Sequence, residues 1–286
     1  MTIRDPRLHA FRPDLADARL KGEVEAARFA DGRPARIAAA VADLRKAPKP
    51  GAGIDTQFLH GDDVLVFDTA DGFAWVQGER DSYVGYVAES ALGGRDHAAT
   101  HVVSAPRTFV YPGPDLRFPV SGRLSMGSTV TVTGTAETRG TQYALLASGE
   151  AMIARHLRPV GEHAADFVSV AETFLETPYL WGGASGFGID CSGLAQLSLR
   201  MAGKDAPRDT DMQEAALGEA FEPGPGFSGL KRGDFVFWKG HIAIMTDAEN
   251  MIHANGHTMT VAREGLAEAV ARIGYLYGGP TSFRRL

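Results

Sequence analysis

The sequence predicts an α+β chain, and three observations predict it. Two successive stretches, about 57–92 and 107–160, alternate short β-type runs with turn residues. An apolar stripe at helical spacing follows the only cysteine. After it come two apolar runs rich in β-formers on either side of a hairpin-like turn. At 286 residues the chain is long enough for two or three domains of roughly 100–150 residues each.

Taken in order, the first element is an N-terminal extension, 1–30. Acidic and basic residues mix from Arg4 to Arg45, and Asp17-Ala-Arg-Leu-Lys and Ala38-Ala-Ala-Val-Ala suggest some helix packed on the first β-rich stretch. Residues 31–95 run Val64-Leu-Val-Phe, Asp71-Gly72, Phe73-Ala-Trp-Val, Arg80-Asp-Ser, Tyr83-Val-Gly-Tyr-Val. Residues 96–160 repeat the manner with Thr129-Val-Thr-Val-Thr, Tyr143-Ala-Leu-Leu and Ala151-Met-Ile-Ala. Setting Gly61 on Gly127 brings Val64 onto Val130, Val66 onto Val132 and Val87 onto Ile153, an internal repeat at an offset of 66 positions. Trp75 and Trp238 read as packing residues.

Residues 161–286 carry the chemistry. Tyr179-Leu-Trp-Gly-Gly-Ala-Ser-Gly-Phe-Gly-Ile-Asp-Cys-Ser-Gly delivers Cys191 from a glycine-rich loop to the start of a helix. Leu194, Leu197 and Met201 recur at helical spacing, with Gly203 as a stop signal, so the helix begins at or just after Asp190. The unpaired amides and positive dipole end at a helix N-terminus favour an anion, which predicts a sulfur that is nucleophilic near neutrality. Arg232-Gly-Asp-Phe-Val-Phe-Trp and His241-Ile-Ala-Ile-Met flank Lys239-Gly240 as a hairpin, and strand alternation puts His241 on the face opposite Ile242 and Ile244. Met251-Ile-His-Ala-Asn-Gly-His supplies the next strand. If it pairs antiparallel, a thiol, a base and an orienting group come together, the logic of nucleophile-base-orienter triads. His253, Asn255 and His257 share parity, so strand geometry leaves the orienter open among them.

Six ordered boxes carry a resemblance: Thr177-Pro-Tyr-Leu-Trp-Gly-Gly, Asp190-Cys-Ser-Gly, Pro207-Arg-Asp-Thr-Asp-Met-Gln, Arg232-Gly-Asp-Phe-Val-Phe-Trp, Gly240-His-Ile-Ala-Ile and Met251-Ile-His-Ala. Over 161–286 they look like the signature of the NlpC-type cell-wall cysteine peptidases, a papain-like group. The resemblance implies hydrolysis of peptidoglycan stem peptides at the bond between the γ-carboxyl of D-glutamate and a diamino acid. It implies Cys191 as nucleophile, His241 as base, His253 as the third polar residue and Tyr179 as an oxyanion donor. Asp190, Ser192 and Trp181 then fall beside the substrate groove, with the helix cap, a role that needs only a side-chain oxygen, as the alternative for Asp190.

Both β-rich stretches resemble bacterial SH3-like domains, small β-barrels that often accompany such peptidases. In that three-domain arrangement a tyrosine of the first barrel, here Tyr83, helps to recognise an N-terminal L-alanine; the second copy has Gly149 at that offset. An aspartate of the Arg-Asp-Ser/Thr box, here Asp209 with Thr210, meets the same free amine, and a carboxylate is what an ammonium needs in a partly desolvated pocket. Asp62 or Asp63 are candidate assistants. The implied result is a size filter that admits a free muropeptide, L-Ala-γ-D-Glu-diaminopimelate, and excludes intact wall.

Composition bounds this reading. The formal net charge of −6 gives no basic excess to suggest nucleic acid. One cysteine excludes an intramolecular disulfide framework and a thiolate zinc site. His60, His97, His101, His156 and His163 show no metal spacing, and the reaction requires no cofactor. The first residues contain no apolar h-region, and no run approaches the roughly 20 apolar residues of a membrane span. A cytoplasmic enzyme of wall-peptide recycling is therefore expected. Two other classes remain: a thiol amidase or acyltransferase on another amide or lipid, and a muropeptide-binding protein that leaves the peptide intact.

Overall fold

The computed structural model describes residues 4–286. They fall into two compact units, divided in the chain between Val160 and Gly161.

In the first unit, alternation along the strands builds a seven-stranded antiparallel sheet. Its order is Ile54–Leu59, Val41–Arg45, Val84–Ala88, Phe73–Gly78, Asp63–Ala70, Arg33–Ile37, Leu92–Gly93. Ile37, Leu44, Phe58, Val64, Val66, Val76, Tyr83 and Val87 point into one apolar core. A bulge between Val66 and Asp68 breaks the alternation and turns Phe67 outward. There Phe67 and Trp75 meet Ala10 and Leu15 of the N-terminal arm, and the Arg12 guanidinium lies 4.4 Å from the Trp75 ring centre. The arm packs as expected but holds no α-helix, only a 3₁₀ turn at Ala18–Leu20. Ala38-Ala-Ala-Val-Ala is not helical either. Its backbone is already committed, with Ala38 N–H donating to Ala91 O and His60 N–H donating to Ala40 O, so Val41 opens a strand.

The rest of the first unit forms a five-stranded sheet, Gly122–Ser125, Arg107–Tyr111, Ala151–Ile153, Thr141–Leu146, Val132–Thr138, and a three-stranded one, Thr129–Val130, His101–Val103, Leu157–Pro159. Val103, Val110, Leu124, Val130 and Met152 form their core. The two halves share one turn at the offset of 66. Gly61 and Gly127 have φ of 85° and 86°, the left-handed region that favours glycine. Gly61 N–H donates to Ile37 O at 2.8 Å and Gly127 N–H to Val103 O at 2.9 Å; Ile37 N–H and Val103 N–H donate in turn to Asp62 O and Ser128 O.

The second unit is built on a six-stranded antiparallel sheet in the order Glu219–Phe221, Ser282–Arg285, Phe235–Trp238, His241–Met245, Asn250–Asn255, Thr260–Gly265. Its helices are α1 (Phe167–Glu172), α2 (Cys191–Met201), α3 (Thr210–Ala216) and α4 (Leu266–Tyr277). Val236, Trp238, Ala243, Met245 and Met251 pack with Leu266, Ala269 and Ile273 of α4. On the other parity Phe235 stacks on Phe167 of α1, ring centres 5.4 Å apart. The Arg-Gly-Asp opening of the Phe235 strand is structural. Arg232 pairs with Asp166, the cap of α1, at 2.7 Å, and buried Asp234 pairs with Arg285 at 2.6 Å. Among the described residues no helix is long and apolar enough to cross a membrane.

Candidate active site

Cys191 is the first residue of α2, whose start is fixed by Asp190. The Asp190 carboxylate accepts from Gly193 N–H at 2.7 Å, an amide that the first helical turn leaves without a partner, and from Gly182 N–H of the preceding loop at 3.0 Å. Gly193 has to be glycine for a further reason: a Cβ there would lie 2.3 Å from Gly183 O. Loop and helix therefore touch backbone to backbone, and that contact sets where the sulfur emerges.

A residue outside the expected set secures this corner. Arg208, 1 % exposed, meets Asp190 with both nitrogens, Nη1 to Oδ1 at 3.1 Å and Nη2 to Oδ2 at 2.7 Å. It also donates to Ser192 Oγ at 2.7 Å and to Gly183 O at 3.3 Å. Asp190 and Ser192, expected to line the substrate groove, are instead buried and turned toward Arg208, because a buried guanidinium needs its donors matched. Gln213 of α3 closes the corner, donating to Ser192 O at 2.9 Å and to Pro207 O at 2.8 Å.

The thiol differs from expectation. Burial, with the Asp190 carboxylate, pushes the Cys191 thiol up to about 11, against hydrogen bonds from the Ile242 amide and the Thr210 hydroxyl and the charge of Arg208. The helix N-terminus does not yield a thiolate near neutrality because the sulfur is buried and, secondarily, because the helix cap is itself an anion. Burial likewise pushes His241 down to about 3. At neutral pH Cys191 is therefore a thiol and His241 a neutral imidazole, on the residue before the Ile242 amide that bonds the sulfur.

The structure selects among the three parity-sharing candidates. His253 Nδ1 lies 2.9 Å from His241 Nε2. Asn255 instead turns its Oδ1 to the backbone N–H groups of His257 and Thr258, which ends the strand, and His257 is exposed in the turn beyond. Behind His253 stand two residues the sequence reading missed. Its Nε2 is 3.2 Å from Glu264 Oε2, an ion-pair contact lying off the hydrogen-bond line, and Arg272 of α4 holds Glu264 through Nε to Oε1 at 3.0 Å and Nη2 to Oε2. The His253 ring and Arg272 keep the Glu264 carboxyl down at about 2 despite burial. Period-two alternation places Glu264 opposite Met251, on the face where α4 packs, but only the strand register reveals that it reaches His253.

Tyr179 is half-buried. Burial, with the charges of Cys191 and Asp190, raises its phenol to about 12, so it remains a hydrogen-bond donor at neutral pH. Thr210 is buried at the start of α3 and touches the nucleophile's sulfur. Asp209 stands at the cap position of α3 without bonding to its amides. Trp181 is 73 % exposed. Tyr83 lies in the first unit, 4 % exposed within its core. Asp62 is buried and accepts from Leu59 N–H at 2.8 Å; Asp63 pairs with Arg36 at 2.8 Å. Both carboxylates have partners within the first unit. Among the described residues no group of three or more His, Cys, Asp or Glu is arranged to hold a metal ion.

Comparison with known proteins places both parts of the chain. Residues 176–272 match the NlpC/P60 family and residues 44–92 match the bacterial dipeptidyl-peptidase Sh3 domain. A γ-D-glutamyl-L-lysine dipeptidyl-peptidase of Bacillus cereus is 28% identical over 228 residues, 70% of this chain and 67% of that protein. Dipeptidyl-peptidase 6 of Lysinibacillus sphaericus is 30% identical over 41% of this chain and 46% of its own length, and a γ-D-glutamyl-L-lysine dipeptidyl-peptidase of Bacillus subtilis is 34% identical over 32% of each. For two of these three, then, the match spans less than half of the relative. The crystal structure of an NlpC/P60 family protein from Bacillus cereus superposes with a TM-score of 0.72 at 22% identity, over 88% of this chain and 99% of that one. It corroborates the fold. The chain thus carries an NlpC/P60 domain over residues 176–272 behind a bacterial SH3 domain, is homologous to the γ-D-glutamyl-L-lysine dipeptidyl-peptidases, and is a cysteine peptidase.

Proposed function

We propose that this peptidoglycan peptidase acts on free muropeptides with an unblocked N-terminal L-alanine, cutting the amide between the γ-carboxyl of D-glutamate and diaminopimelate, in cytoplasmic recycling of wall peptides. The observation that carries the reading is the 2.9 Å contact of His241 with His253 on the strand whose Ile242 amide bonds the Cys191 sulfur. His241 Nε2 is committed to His253, which leaves Nδ1 to take the thiol proton. As it does, Sγ bonds the carbonyl carbon, and the oxyanion is met by the Tyr179 hydroxyl and the Cys191 N–H of the first helical turn. His241 returns the proton to the leaving amine as the C–N bond breaks. Water then attacks the thioester and gives a proton to His241, and the C–S bond breaks with the proton restored to sulfur. Asp209 supports the free-amine requirement, since its carboxylate suits an ammonium.

The test incubates the protein and its Cys191→Ala variant with L-Ala-γ-D-Glu-diaminopimelate, its lysine counterpart and N-acetylated versions, reading products by mass. Cleavage of the free-amine peptides but not of their acetylated versions, abolished in the variant, is expected, and the ratio of the diaminopimelate to the lysine peptide reads the preference between them. Equal cleavage of acetylated peptide removes the free-amine requirement, and turnover of simple amides without any stem-peptide cleavage returns the assignment to a thiol amidase.

A further inference from the structure

His253 is 1 % exposed, and its two ring nitrogens face different partners: Nδ1 the imidazole of His241 at 2.9 Å, Nε2 the carboxylate of Glu264 at 3.2 Å. A carboxylate only accepts hydrogen bonds. Although this contact lies off the hydrogen-bond line, a lone pair facing the negative charge is repelled and an N–H attracted, so the nitrogen that faces it carries the hydrogen and Nδ1 is left with a lone pair. The only hydrogen that suits that lone pair is on His241 Nε2, so His241 Nδ1 is unprotonated and able to accept. One negative group at the back of the site thereby sets the direction of every hydrogen up to the nucleophile. Were the orientation reversed, Nδ1–H of His253 would donate to His241 Nε2, His241 would carry its hydrogen on Nδ1, and the thiol proton would have nowhere to go.

We propose that Glu264, held by Arg272, is a positioning residue that fixes the tautomers of His253 and His241 so that His241 Nδ1 is the base. The inference rests on the cysteine-peptidase reading of the site but not on the identity of the peptide. Glu264 is placed for the task. It sits on the edge strand Thr260–Gly265, opposite Met251, and Arg272 on α4 reaches back with two nitrogens. That clamp fixes the carboxylate's position while its negative charge balances the imidazolium that forms during proton transfer. The charged and titratable groups around the path are His241, His253, Glu264 and Arg272 behind, and Cys191, Asp190, Arg208 and Tyr179 in front. Among the described residues, Glu264 is the charged group that faces the far nitrogen of His253. The low value of the Glu264 carboxyl, about 2, keeps it ionised wherever the enzyme would work.

Glu264→Gln tests this, because an amide is nearly isosteric but can donate to His253 Nε2 and so permits the reversed tautomer. Three measurements separate positioning from folding: kcat and KM on the cleaved peptide, the pH profile of Cys191 alkylation by iodoacetamide, and the ring ¹⁵N signals of His253. Loss of an outer partner behind a metal-bound imidazole costs about 10- to 100-fold, and the carboxylate behind this imidazole orients its ring in the same way. The expected result is a kcat fall in that range with KM unchanged. Alkylation at pH 7 should fall alongside, its neutral-pH plateau replaced by a steady rise with pH. The ¹⁵N pattern should lose Nε2–H, and Glu264→Asp should restore most of the rate. Wild-type alkylation and tautomer in Glu264→Gln would overturn the inference, as would a rate loss with the His253 signals unchanged. Alkylation needs no peptide, so a wild-type protein that cuts no stem peptide yet shows the Glu264-dependent profile defeats the substrate reading and leaves this one standing.

Discussion

At the scale of single residues, the site is a set of buried charges whose partners decide its behaviour. Removing one partner of a buried ion pair leaves the other uncompensated and costs about 3–5 kcal/mol. Arg208→Ala should therefore lower the urea midpoint strongly and, by leaving Asp190 unmatched beside the sulfur, slow alkylation of Cys191 as well; a midpoint within experimental error of wild type refutes the packing role given to Arg208. Acid should weaken the fold in two stages. His241 is depressed from 6.5 to about 3, so as pH falls below 6.5 the unfolded chain takes up a proton that the folded one refuses, and stability declines toward pH 3. Glu264 is depressed from 4.5 to about 2; the stability it contributes is complete above 4.5 and disappears as pH falls through 2. Urea titrations at pH 7, 5 and 4 should show a decreasing midpoint, with the first stage absent in His241→Ala and the second in Glu264→Gln. The helix start at Cys191 and the strands of His241 and His253 were legible because each sits in a short motif whose neighbours are constrained, while strand parity left His253, Asn255 and His257 undivided. Arg208 stood in a motif too, but its neighbours Asp209 and Thr210 drew the reading, and nothing local tells that a guanidinium 18 positions from Asp190 is its partner. The thiol was misjudged because a helix N-terminus was counted without the burial of the sulfur and, after it, the carboxylate that caps the helix.

At the scale of elements, the important distances are between backbones. The Gly193 Cα faces the loop so closely that a methyl group would stand 2.3 Å from Gly183 O. Gly193→Ala must move α2 or the loop, and Cys191 with it. A misplacement of about 1 Å costs on the order of 100-fold in rate, so peptide hydrolysis and alkylation should both fall by about that factor while far-UV circular dichroism stays the same. Full activity in Gly193→Ala would show that the close approach is not what places the sulfur. The helix after Cys191 and the hairpin at Lys239-Gly240 were readable from periodicity and turn chemistry. The sheet order was not, since Ser282–Arg285 inserts between Glu219–Phe221 and Phe235–Trp238, a pairing across more than 40 positions that no local signal announces. Ala38-Ala-Ala-Val-Ala shows the opposite failure, helical composition overruled by hydrogen bonds to distant strands.

At the scale of the whole molecule, each unit keeps its own core, and Cys191, His241, His253, Glu264 and Arg208 all belong to the second. Residues 161–286 expressed alone should fold cooperatively and retain iodoacetamide-reactive Cys191, as judged by a single denaturation transition and mass-detected labelling; an unfolded or unreactive fragment would make the first unit indispensable to the site. The repeat of the β-rich part was visible as apolar matches, yet its firmest token is one the sequence only hints at, the left-handed glycine that makes the same bond in both halves. The three indoles offer a last consequence. Trp75 and Trp238 are sealed at 3 % and 0 % while Trp181, in the loop that leads to the nucleophile, is 73 % exposed. Red-shifted, iodide-quenchable emission of the unlabelled protein should therefore come from Trp181 alone, giving this enzyme a native optical gauge of whatever arrives beside its sulfur.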